Sequence, residues 1–108
     1  MKILIYTILL ITLLKQTTVH AHQGHNEISS DNAINIASKS LKKLTFKDLG
    51  YGVGKLESSW KLLNESNFNV LEVLETTLII SATNSLNDQV IYFEITKSGK
   101  VLSVKYTY

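Results

Sequence analysis

Two short stretches of the 108-residue sequence combine residue types and spacing that suggest chemistry. One holds His22 and His25; the other is Gly50-Tyr51-Gly52-Val53-Gly54-Lys55. If the chain is cut after Ala21, His22 offers a free α-amine as well as an imidazole, and His25 adds a second ring. Such nitrogen donors suit Cu(II), Ni(II) or Zn(II). The tightest amino-terminal arrangement would need His where Gly24 stands, which leaves Glu27 or Asp31 to complete a shell. A closed structural zinc site is not expected, because the sequence has no Cys and only these two histidines beyond Ala21. The competing reading of both histidines is an ordinary solvated tail.

The glycine stretch fails as a phosphate loop. A P-loop would need Gly at Leu49 and Ser or Thr at Leu56, and a dinucleotide fingerprint needs its third Gly one position later. The expected role is a flexible connector that lets backbones pack closely, with Lys55 on the surface. Catalytic residues are not expected. Both histidines lie in the tail, so no Ser has a base nearby, and alternation puts strand acids such as Glu72 on solvated faces. Aromatics with polar tips favour interfaces, and a partner surface is assigned to Tyr51 and Trp60, with Tyr92, Tyr106 and Tyr108 as further aromatics. The competing reading makes Trp60 and Tyr106 core edges and Tyr108 a loose end.

The elements that must position these residues begin after a leader. Lys2 precedes Ile3–Leu14, an apolar run broken only by Thr7 and Thr12, and Val19-His20-Ala21 follows a short polar stretch. Twelve residues are too few for a spanning helix, which needs roughly 20. The pattern fits a signal peptide over residues 1–21, with small residues Val19 and Ala21 before the cut. The formal charge of +2 then changes meaning. Lys2 and Lys15 leave with the leader, and residues 22–108 carry 9 lysines against 9 acids. Nucleic-acid binding needs a clustered basic patch, and Lys42-Lys43 reads as a solvated helix face. The expected compartment is periplasmic or extracellular, with no integral membrane segment once the leader is gone.

Residues 22–27 are polar and aperiodic, a flexible lead-in to one domain over 28–108. Ser29 is a helix N-cap, Asp31 lies in the first turn, and Ile28 and Ala33 are spaced for a hydrophobic staple. Ala33, Ile36, Ala37, Leu41 and Leu44 then recur at helical spacing, which predicts a helix over 29–44. Residues 58–63 suit a short helical turn that carries Trp60 and Leu63 inward. The period then falls to two. Strands are expected at 68–74, 77–83, 90–96 and 101–106, the last with Leu102, Val104 and Tyr106 on one face. Short turns between successive strands make an antiparallel meander, and the long helix supplies the apolar stripe to cover one face. The fold class is therefore α+β, one long N-terminal helix on about four antiparallel strands. A core this small, without disulfides, favours dimerisation through an edge strand.

Two stretches resemble the PepSY-like domains of exported bacterial proteins: Ile28-Ser29-Ser30-Asp31-Asn32-Ala33-Ile34-Asn35-Ile36-Ala37, like that family's opening helix, and Tyr92-Phe93-Glu94-Ile95-Thr96-Lys97-Ser98-Gly99-Lys100-Val101-Leu102, like its closing hairpin. Within that group the sequence is most similar to small exported proteins with histidines at the mature N-terminus and a glycine-rich segment before Ser59-Trp60. The resemblance implies an extracytoplasmic domain without catalytic residues that regulates or inhibits a peptidase or binds another protein or peptide. Metal handling through His22 and His25 is the alternative function.

Overall fold

The computed structural model describes residues 27–108. Helix α1 (Ser30–Leu44) is the first described element and starts well inside the sequence, not at its N-terminus. Ser29 caps it in extended conformation, its side chain accepting from the Asn32 N–H at 3.1 Å. Asp31 in the first turn and Lys42 and Lys43 in the last complement the helix dipole. Ala33, Ala37, Leu41 and Leu44 are buried, a single stripe whose two alanines let the helix lie close to its partner layer.

That layer is a four-stranded antiparallel sheet in the order β1 (Phe68–Val73), β2 (Thr77–Asn84), β3 (Gln89–Thr96), β4 (Val101–Lys105). Leu78, Ile80 and Ala82 of β2 and Ile91, Phe93 and Ile95 of β3 join the helix stripe in one buried core. The central pair runs in unbroken register from Thr77↔Thr96 to Asn84↔Gln89. Both edge strands are bulged. The pairing of β1 slips between Val70 and Glu72, and that of β4 slips opposite Glu94 and Ile95. The extra residues are Leu71 and Leu102, each more than two-fifths exposed. The bulge overturns the expected alternation of β4, because inside it pairs Val101 with Ile95 and Val104 with Phe93 while Leu102 points outward.

The connection from α1 to β1 folds back over the open end of this core. The Leu56 N–H donates to the Leu44 carbonyl at 2.8 Å, which satisfies one of the helix's orphan acceptors. Between them Gly50, Gly52 and Gly54 have φ of +88°, +95° and +71°. A Cβ at any of the three would meet nothing within 4 Å, so these glycines supply left-handed backbone and not the close packing expected from sequence. Leu49, Tyr51 and Val53 alternate with them and pack against the core. A 3-10 turn (Ser58–Leu62) then drives Trp60 inward, and a second (Glu65–Asn67) is closed by a reciprocal Asn64–Asn67 capping box.

Two tethers lock the ends. Ile28 donates its N–H to the Lys97 carbonyl at 2.8 Å, tying the helix start to the β3–β4 hairpin, where Gly99 turns with φ +100°. At the other end lies Asn84, 1% exposed. Its amide donates to Ser59 Oγ at 2.9 Å and its Oδ1 accepts from the Leu86 N–H at 3.0 Å. One buried side chain therefore closes the β2–β3 turn and pins the turn that carries Trp60. Removing it breaks both hydrogen bonds of a buried side chain, so Asn84→Ala is expected to lower stability by about 2 kcal/mol in urea denaturation, against a few tenths for Asn87→Ala in the same turn. Equal losses would show that the tether contributes nothing.

Candidate binding surface

A single helix can cover only one face of a sheet. On the other face the registers set two rows of side chains across the strands. One row reads Asn69, Ser81, Tyr92, Lys105, and the next Glu72, Ile79, Glu94, Ser103. Among the described residues no helix packs over them, and Ile79 and Ser81 are only 7% and 6% exposed. The cover comes partly from the segment after β4, which turns back across the sheet. Tyr108 stacks on Tyr92 with ring centroids 5.4 Å apart and planes inclined by 22°. Glu72 on the far edge strand raises the Tyr108 pKa above its ordinary value of 10.0, first through its hydrogen-bonding influence on the phenol and, together with desolvation, through its negative charge.

Beside the stacked tyrosines lies an open groove of about 210 Å³ lined by Ile79, Tyr92, Glu94, Ser103, Lys105 and Tyr108, among others. Glu94 accepts from the Thr77 hydroxyl at 3.2 Å, which fixes its carboxylate toward one side. The groove thus has an apolar floor, an aromatic wall, one acid and one ammonium on its rim. That set can hold an apolar or aromatic side chain and hydrogen-bond the polar backbone around it. Among the described residues, which contain no histidine, Ser103 has no imidazole near it.

The residues singled out from sequence are distributed differently. Trp60 is 1% exposed and belongs to the core, so its indole is not offered to a partner. Tyr51 is half-buried against the same core. The exposed neighbour of Trp60 is Leu62, at 74%. Tyr106 is exposed where a core edge was the competing reading, and Tyr108 is stacked where a loose end was. His22 and His25 lie outside the described residues, as does the leader. Among the described residues no group of three or more His, Cys, Asp or Glu is placed to hold a metal ion, and no helix is long and apolar enough to cross a membrane.

A family model described as a family of unknown function (DUF6488) matches residues 1–108. The chain belongs to that family. No curated protein and no solved structure matches it. The chemistry of this DUF6488 member is therefore read from its own side chains, and the groove is the feature that the sequence pattern did not single out. Alternation along β3 and β4 carried a partial signal, since Tyr92, Glu94, Ser103 and Lys105 fall on one face. The return of Tyr108 over Tyr92 carried none.

The Glu72–Tyr108 contact has a titration signature. A raised phenol pKa means that the contact is fully formed below the ordinary tyrosine value and is lost as pH rises through the raised one. Tyrosinate absorbance is expected to show one late-ionising tyrosine that disappears in Tyr108→Phe and returns to ordinary behaviour in Glu72→Gln. An unchanged titration in both variants would mean that the tail does not rest on the sheet in solution.

Proposed function

We propose that the chain is an exported, non-enzymatic binding domain of PepSY-like character that engages a protein or peptide partner through the outer face of its sheet. The observation that carries this reading is the groove beside Tyr92 and Tyr108, an aromatic and partly apolar surface on the sheet face that no helix covers among the described residues. The leader-like pattern of residues 1–21 supports export, and the order of helix, meander and closing hairpin supports the PepSY-like resemblance. The groove is a better candidate than strand addition at either edge. Bulges at Leu71 and Leu102 break the run of backbone donors and acceptors that an added strand or a second copy would need. A regulatory or inhibitory role follows naturally from such a surface, because occupying a partner requires shape and contact but no reacting group.

The reading is tested by placing a photoreactive side chain at Lys105, on the groove rim, and at Asn35, exposed on α1, in the producing cell. A distinct adduct at Lys105 that is absent at Asn35 and is lost on Tyr92→Ala is the expected result. The same adducts from both positions would overturn the assignment to this face.

A further inference from the structure

The charges of the described residues balance in number but not in place. Between Lys39 and Lys61 stand six lysines and two acids, a net +4, while the rest of residues 27–108 carries three lysines and seven acids, a net −4. The fold gathers the positive part around the C-terminal end of α1. Lys39, Lys43 and Phe46 follow one another at helical spacing on its outward side, and the Phe46 and Lys47 N–H groups both donate to the Lys43 carbonyl. The Leu56–Leu44 hydrogen bond brings Lys55 to the same end. Lys61 closes the group, with its ammonium 4.2 Å from the centre of the Phe46 ring.

Two large apolar side chains project from this lysine cluster. Phe46 is 68% exposed and Leu62 is 74% exposed, and Lys61, next to Leu62 in the chain, reaches the Phe46 ring with its ammonium. Neither lines the groove beside Tyr92 and Tyr108. Protruding apolar tips ringed by long cationic side chains are poorly matched to a flat protein partner, which would need a packed, largely dry contact. They are well matched to a bilayer surface, where the tips enter the acyl boundary and the ammonium groups meet anionic headgroups. We infer that this end of the molecule docks onto anionic lipid membranes, with Phe46 and Leu62 inserted and Lys42, Lys43, Lys47 and Lys61 on the headgroups.

The test is partition of the full chain onto vesicles of phosphatidylcholine alone and of phosphatidylcholine with an equal part of phosphatidylglycerol. The readout is the gain in partition on adding the anionic lipid, compared among variants whose residues 1–26 are identical. The wild-type chain is expected to show a large gain that fades as salt rises. Lys42→Gln/Lys43→Gln/Lys47→Gln is expected to reduce the gain by about a hundredfold, at about fivefold per surface lysine. Phe46→Ser/Leu62→Ser is expected to reduce partition onto the anionic vesicles by about tenfold through loss of buried apolar area. All these side chains are exposed, and unchanged emission from the buried Trp60 reports that each variant is folded. No gain for the wild type, or the same gain in the lysine variant, overturns the inference. So does equal binding to soluble polyglutamate that the Phe46→Ser/Leu62→Ser variant retains, because that result assigns the patch to an acidic polypeptide.

Discussion

The structure depends on one contact, the stripe of Ala33, Ala37, Leu41 and Leu44 pressed onto the inner face of β1, β2 and β3. Non-directional burial of apolar area is the main source of stability in so small a domain, and here it is concentrated between one helix and one sheet face. The two alanines are as important as the leucines, because they set how near the helix lies. Among the described residues there is one long helix, so burying this face leaves the other without a helical cover. The outer face therefore has to be partly covered by what remains of the chain, and the tail with Tyr108 does this over Ile79 and Ser81. The candidate groove lies at the edge of that incomplete cover.

The second requirement is closure of the open end of the core by residues with little regular structure. Leu49, Tyr51 and Val53 alternate with three left-handed glycines and all pack against the same core, although the segment forms no regular strand or helix. Trp60 then supplies the largest buried side chain in the domain. Its position is held by polar groups. Asn84 reaches across to Ser59, and Ser59 donates to Glu57, so a chain of three side chains fixes the turn from which the indole enters. A buried amide whose hydrogen-bonding groups are all engaged adds specificity where apolar packing alone would let the segment slide.

Much of the fold was legible because each element carries a local signal that agrees with its tertiary role. The Ser29 cap, the helical stripe and the turn residues Ser98-Gly99 gave element ends close to those observed, and the period-two runs gave the strands. The misreadings are of one kind. Strict alternation cannot anticipate a bulge, so Leu102 was placed inward when Val101 and Val104 hold that side. Residue type alone cannot tell a buried indole from an interfacial one, so Trp60 was assigned to a partner surface. The stacking of Tyr108 on Tyr92, sixteen positions apart, needs a further turn after β4, and residues 106–108 have no glycine or proline to announce it. A site built by such long-range contacts leaves almost no pattern in the sequence.

The formal neutrality of residues 22–108 hides a separation that bears on how the two free surfaces work together. The lysine-rich end belongs to the helix layer, whereas the groove with Tyr92, Glu94 and Lys105 opens on the opposite face of the sheet. Because the sheet stands between them, a surface that engages the first leaves the second accessible. The helix dipole reinforces this polarity, since its negative end is where Lys42 and Lys43 are favoured while Asp31 sits at the positive end. An electrically polarised domain orients itself in the field of an anionic surface before any contact is made. In that orientation the helix C-terminus leads, and the groove is carried on the side of the molecule turned away from the attracting surface.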